Sequence, residues 1–239
     1  MDNLDILDKG LKELGIDTDS EKLNKLITFK NILLEWNEKI NLTSITDEKE
    51  IFIKHFIDSA TCLCSGLIKS GSKVIDIGTG AGFPGVVVKI LKEDTNMTLL
   101  DSLNKRVVYL REAADKLGLA QVDIIHGRAE EYGVKKEYRE KYDIALSRAV
   151  APINVLVEYC MPFVKVGGYF ICQKGPSYKD ELEEGKKAIE IMGGKLEKVE
   201  EHLLPYSDIE HYILLIKKIE NTPTKYPRKP GKPSSNPIK

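Results

Sequence analysis

Four cysteines, one tryptophan and no apolar run longer than a few residues put several classes of protein out of reach. Cys62, Cys64, Cys160 and Cys172 lack the paired CxxC spacing of a zinc site and are too sparse for a disulfide framework. A reducing cytoplasm is therefore the expected home. No stretch approaches the roughly 20 apolar residues of a membrane span, and Asp2, Asp5 and Asp8 stand where an export signal would need positive charge. Neither a membrane helix nor a leader is expected. Gly and Pro are too few for a collagen-like or low-complexity chain. What remains is an ordinary globular composition, 42% hydrophobic and 31% charged, and 239 residues suffice for a real core.

The formal net charge of -1 conceals two unlike parts. From residue 217 onward, seven basic residues (Lys217, Lys218, Lys225, Arg228, Lys229, Lys232, Lys239) face Glu220 alone, a net +6, so the rest of the chain carries -7. A basic tail on a mildly acidic body suits a polyanionic partner. Nucleic acid ranks ahead of membrane because the tail has no large apolar face to insert. The tail also holds Pro223, Pro227, Pro230, Pro233 and Pro237, half of the chain's prolines. Lost amide donors and fixed φ predict an extended, polyproline-like arm or a disordered tail over residues 220–239.

Periodicity divides the remainder. Leu4, Leu7, Leu11 and Leu14 recur at helical steps, as do Leu23, Leu26, Ile27, Leu33, Leu34 and Trp36, then Ile51, Phe52, His55, Phe56, Ala60 and Leu63. Residues 1–70 thus read as a helical cap. Residues 71–219 read as repeated βα units, with strands near 73–77, 97–101, 122–126, 142–146 and 168–173 and helices near 84–93, 103–118, 153–164 and 178–192. Two last strands, near 195–204 and 211–219, have no helix between them and so are expected to pair antiparallel. The three parts are expected to form one integrated domain.

The sharpest motif follows the first predicted strand: Asp76-Ile77-Gly78-Thr79-Gly80-Ala81-Gly82-Phe83-Pro84. Glycines allow positive φ and close approach of a ligand to the backbone. The spacing is GxGxG, whereas a dinucleotide fingerprint needs GxGxxG. That favours a nucleoside without a pyrophosphate, held by Asp76, Gly78, Gly80 and Gly82 with Phe83 beside them. Asp101 closes the second strand, where a carboxylate accepts from ribose hydroxyls, and Ser102 follows it. Gly127-Arg128-Ala129-Glu130 and Ser147-Arg148-Ala149 end the third and fourth strands at the same rim. Each has a plainer explanation: a tight turn, a helix N-cap at Asp101, a surface pair of Glu130 and Arg148. Their convergence favours an S-adenosylmethionine pocket over a nicotinamide site. A nicotinamide-dependent oxidoreductase and a non-catalytic RNA-binding protein with a nucleoside pocket are the rivals.

The methyl acceptor is narrowed by what is missing. No (Asp/Asn)-Pro-Pro-aromatic element for an exocyclic amine follows the fourth strand, and no Pro-Cys pair offers a thiol for cytosine carbon-5. Guanine N7 has an in-plane lone pair and requires neither a base nor a covalent catalyst. Within duplex RNA it lies out of reach, so the target would be in a loop or everted.

The segments Glu35 to Thr43, Lys54 to Ser59, the glycine loop through Pro84, Asp101 to Arg106, Arg128 to Glu130, Ser147 to Ala149 and Lys225 to Gly231 together resemble the RsmG family, also called glucose-inhibited division protein B, the bacterial small-subunit rRNA guanine-N7 methyltransferases. The resemblance runs nearly end to end. It implies an α/β, class I (Rossmann-like) fold with a mostly parallel sheet, a closing antiparallel strand and a helical N-terminal cap. It also implies methyl transfer from S-adenosyl-L-methionine, leaving S-adenosyl-L-homocysteine, to one guanine of 16S rRNA, either as RNA or in the 30S particle, by a monomer. Gly78, Phe83, Ala129, Glu130 and Arg148 would touch the cofactor. Lys54, His55 and the polar 36–41 stretch would lie at the pocket mouth, while Lys54, Lys225, Arg228 and Lys229 would grip RNA phosphates. No catalytic residue is implied, and Arg148 and His55 are positioning candidates. Read without that likeness, His55 is a helix-face histidine and Trp36 a core residue.

Overall fold

The computed structural model describes residues 2–148 and 150–239, so Ala149 of the Ser147-Arg148-Ala149 motif lies outside the described residues. Helices α1 (Asn3–Glu13) and α2 (Ser20–Ile40) each start at an aspartate, Asp2 or Asp19, whose carboxylate accepts a first-turn amide. A third helical stretch runs from α3 (Glu48–Ile51) through a π-helical turn at Phe52–Ile57 into α4 (Asp58–Ala60). The expected regular helix is therefore interrupted by a widened turn, a local change that leucine-like periodicity does not signal.

Seven strands follow: β1 (Lys73–Ile77), β2 (Asn96–Asp101), β3 (Val122–His126), β4 (Tyr142–Arg148), β5 (Val164–Lys174), β6 (Gly194–Leu203) and β7 (Glu210–Lys218). They are interleaved with α5 (Gly85–Leu91), α6 (Asn104–Lys116), α7 (Ala129–Tyr132), α8 (Ile153–Cys160), α9 (Tyr178–Ile191) and a terminal α10 (Lys232–Ser235). Their order in the sheet is β3-β2-β1-β4-β5-β7-β6. The first five run parallel, and β7 lies antiparallel between β5 and β6. The order reverses between β1 and β4, the crevice where doubly wound sheets take ligands.

Successive strand residues face opposite cores. Val74, Leu99, Ile144, Ile171 and Ile213 join one cluster with the cap's Phe29, Phe52 and Phe56, and Ile75, Leu100, Ala145, Cys172 and Leu214 join another with α8 and α9. Both faces are covered, which is why the parallel strands read as unbroken apolar runs.

Two expectations are corrected. The helix expected over 153–164 stops at Cys160, passes through a tight turn at Met161–Phe163, and gives way to β5 from Val164. Pro162 lacks the amide needed to continue it. The tail is neither disordered nor wholly extended: Thr222, Pro227, Pro233 and Ile238 are buried, and Lys232–Ser235 forms a helical turn with Pro233 in its first positions. Proline is tolerated there. No helix among the described residues is long and apolar enough to cross a membrane.

Candidate functional site

Two adjoining chambers open along the carboxyl rim of the parallel strands. The larger, about 470 Å3, is bordered by Thr43, His55, the glycine loop, Phe83, Asp101, Arg106 and Arg148. The smaller, about 250 Å3, is bordered by Ile77, Leu100, Ser102, Ala129, Glu130 and Tyr159. Gly78, Ser102 and Val150 line both. Gly78 has φ +71°, and a Cβ there would meet Val150 Cγ2 at 2.8 Å. Glycine therefore serves both the turn and the close approach of the loop opposite.

Asp101 organises the junction. It is buried; one carboxylate oxygen accepts the Gly80 N–H at 2.9 Å and the other the Leu103 N–H at 2.8 Å, while Arg106 Nη1 lies 3.6 Å away. Asp76 sits beneath the loop, fully buried, with Oδ2 accepting the Gly85 N–H at 2.8 Å. Burial drives its carboxyl up to about 6, against the lowering effect of the Gly85 amide. A folded pKa above the unfolded one means that proton binding favours the fold, a contribution full below pH 3.8 and lost as pH rises through about 6. Asp76→Asn keeps the acceptor and drops the charge. It should be more stable than the parent by about 1–3 kcal/mol at pH 8, with the gap closing towards pH 4. Urea melts at three pH values would refute this if the difference proved independent of pH.

At the mouth, three strands, the glycine loop and the cap meet on one side-chain network. Phe83 packs on Phe29 and Phe56; the His55 ring stacks on it at 4.5 Å, and the Arg148 guanidinium lies 4.9 Å from its centroid. His55 Nε2 is 2.8 Å from Thr43 Oγ1, and Nδ1 is 3.1 Å from the Lys54 carbonyl. With Nδ1 protonated, both nitrogens are satisfied by neutral partners. Burial, then the Arg148 charge, brings this imidazole down to about 4, so it is neutral at pH 7 and only a weak proton acceptor.

Arg148 Nη1 donates to Asp58 Oδ2 at 2.6 Å, and His211 Nδ1 contacts the other oxygen of that carboxylate. Burial opposes ionisation of Asp58, but the hydrogen bond with His211 and the Arg148 charge outweigh it and hold the carboxyl below its ordinary range. Gln173 Nε2 fixes the backbone beneath by donating to the Asp58 carbonyl at 2.8 Å. The π-helical turn matters here. It ends just before Asp58 and includes Lys54, whose carbonyl accepts from Arg148 Nη1 at 3.3 Å.

The sequence-derived set separates accordingly. Gly78, Gly80, Phe83, Asp101, Ser102, Arg148 and His55 border the larger chamber, while Ala129 and Glu130 border the smaller. Asp76 and Gly82 lie behind the loop; a Cβ on Gly82 would meet Val86 at 2.7 Å. Lys54 points its ammonium at Glu50. Lys225 and Lys229 are exposed, but Arg228 is not available to phosphates as expected: its guanidinium is spent on Glu158, whose side chain is fully buried. Trp36 packs edge-on to Tyr109 rather than over the cleft. Asp58, His211, Gln173 and Arg106 received no role from sequence reasoning. Asp58 stood inside a segment already singled out, whereas His211 carried no local signal.

This sheet order, with its cleft at the strand switch, defines a class I, Rossmann-like methyltransferase fold. Solved structures agree at the level of fold: precorrin-6y C5,15-methyltransferase from Geobacter metallireducens (TM-score 0.50, 15% identity, 67% of this chain and 87% of that one) and the YcgJ protein of Bacillus subtilis (TM-score 0.55, 13% identity, 70% and 100%). The sequence profile described as rRNA small subunit methyltransferase G (GidB) matches residues 22–209. Ribosomal RNA small subunit methyltransferase G of Alkaliphilus oremlandii is 56% identical and that of Alkaliphilus metalliredigens 55% identical, each over the whole of both chains. The protein of that name from Acetivibrio thermocellus is 51% identical over 98% of this chain and 96% of its own. The chain belongs to the rRNA small subunit methyltransferase G (GidB) family.

Proposed function

We propose that the chain binds S-adenosyl-L-methionine and methylates N7 of a guanine in small-subunit ribosomal RNA. The observation that carries the reading is the adjoining pair of chambers, with Gly78 and Ser102 lining both and Asp101 bordering the larger beside Ser102. The smaller has an apolar floor of Ile77, Leu100 and Ala129 suited to a purine, and Asp101 in the adjoining larger chamber offers acceptors to a ribose diol. Beyond Asp101 the larger chamber is bordered by the glycine loop and the Phe83–His55 stack, which leaves it for the methionine end. When bound, the donor would supply an electrophilic methyl on sulfur. The protein's own part is positioning and exclusion of water.

The acceptor argument rests on chemistry at the mouth. His55 has both nitrogens hydrogen-bonded and binds a proton only weakly, so an acceptor that must lose a proton finds no effective base there. Burial pushes the Cys160 thiol far up and that of Cys172 up to about 12, which removes both as nucleophiles. Guanine N7 needs neither. Lys54, Lys225 and Lys229 are the cations proposed to meet phosphate, and binding through them should weaken with salt.

Calorimetry separates the nicotinamide-dependent rival, since S-adenosylhomocysteine should bind and NAD should not, and a methyl-transfer assay separates the non-catalytic one. Asp101→Ala is expected to weaken S-adenosylhomocysteine about tenfold or more, because it removes the diol acceptors and frees the Gly80 loop; unchanged affinity would sink the assignment. Mapping N7-methylguanine in ribosomal RNA from cells with and without the gene tests the acceptor, and methylguanine that persists without the gene would refute it.

A further inference from the structure

The basic, proline-rich arm does not hang beside the domain; it is built into the wall of the smaller chamber. Ser234 of α10 borders that chamber together with Ala129, Glu130 and Tyr159. One arm contact is made by a rim residue itself, since Glu130 Oε1 accepts the Gly231 N–H at 2.9 Å. Gly231 has φ +80°, so the turn that aims this amide is one few side chains would permit. A few residues earlier, Arg228 grips buried Glu158 of α8 through Nε, Nη2 and its own backbone amide at 2.6–3.1 Å, and its Nη1 donates to the Asn236 carbonyl at 2.9 Å. Ile238 is buried in the same core cluster as Ala129. At the arm's root, Arg139 donates to the carbonyls of Thr222 and Tyr226, and buried Lys218 donates to Thr222 Oγ1 and to the Met161 carbonyl. Anchors thus run along the arm from Thr222 to Ile238.

We propose that residues 230–238 form part of the nucleoside site, closing the smaller chamber over the adenosine moiety, so that arm docking and cofactor binding stabilise each other. This rests on the reading of that chamber as the nucleoside end of the cleft. Two contrasting roles follow for neighbouring residues: Arg228 and Gly231 face inward and hold the wall, while Lys225, Lys229 and Lys232 are exposed on its outer side. The resemblance assigns the arm's cations to RNA phosphates alone, which would leave cofactor affinity unchanged on its removal. The inward contacts argue the opposite. Coupling of this kind is reciprocal: whatever affinity the docked arm adds to the ligand, the ligand adds to docking.

The test uses S-adenosylhomocysteine and adenosine as probes, with the full chain, a variant lacking residues 230–239, and Gly231→Pro, which removes the amide that Glu130 accepts and cannot adopt positive φ. Both variants should bind both probes at least about tenfold more weakly while circular dichroism shows the fold retained. Affinities equal to that of the full chain would overturn the proposal. Should a variant fail to fold, limited trypsin digestion of the full chain decides. Saturating S-adenosylhomocysteine should slow cleavage after Lys225 and Arg228 severalfold, the arm's basic residues that no proline follows, and equal rates with and without it would overturn the proposal. Failure of the full chain to bind either probe would instead remove the reading of the chamber on which the proposal rests.

Discussion

Asp58→Ala is expected to lower kcat/KM for methyl transfer by about a hundredfold or more, although Asp58 lies behind the cleft and borders neither chamber. Its carboxylate is the counter-charge that holds Arg148 over Phe83 and contacts His211. Removing one partner of a buried ion pair leaves the other desolvated, a cost of roughly 3–5 kcal/mol. The Arg148 guanidinium would then turn towards water, and a shift of about 1 Å in a positioning group can cost a hundredfold in rate. A purely structural role would move melting temperature and spare turnover in the folded fraction. Asp58→Asn, which keeps the shape without the charge, distinguishes the two: it should stay folded and still lose most of kcat. Turnover within threefold of the parent in Asp58→Asn would show that the charge is not needed.

The largest loss of stability is expected for Arg228→Ala. Glu158 is fully buried and receives three donors from Arg228, so truncation strands a carboxylate in the core. The backbone amide remains, but the charge has no counterpart. About 3–5 kcal/mol should be lost, which for a chain of this size is a fall in melting temperature on the order of 10 °C. Arg228→Met with Glu158→Leu should recover much of it, because the penalty lies in the unpaired charge rather than in the missing bond. Calorimetric melts of the two single variants and the double variant decide. A single variant that melts within 2 °C of the parent would mean that Glu158 finds water or another donor.

The alternation of strands and helices was readable because buried parallel strands are short continuous apolar runs that contrast with amphipathic helices. Gly78 and Asp101 were readable because their roles are local, one as a turn and one as a strand end. Arg228 was misjudged for the opposite reason. Its partner lies 70 residues away on α8, and neither charge count nor proline content reports a buried glutamate. His211 escaped notice because β7 runs against its neighbours, which brings its start, rather than its end, to the rim where the loops of β1 to β5 collect. The π-helical turn is a matter of one extra residue per turn, below what periodicity resolves.

The reversed direction of β7 also governs when the enzyme can come into being during its own synthesis. Asp58 leaves the ribosome with the first quarter of the polypeptide but must wait for residue 211 to find its histidine, and Glu158 must wait for residue 228. A growing chain that already contains the glycine loop, β4 and Arg148 therefore still lacks both clasps. The ion pairs that brace the pocket mouth and anchor the arm therefore form only near the end of synthesis.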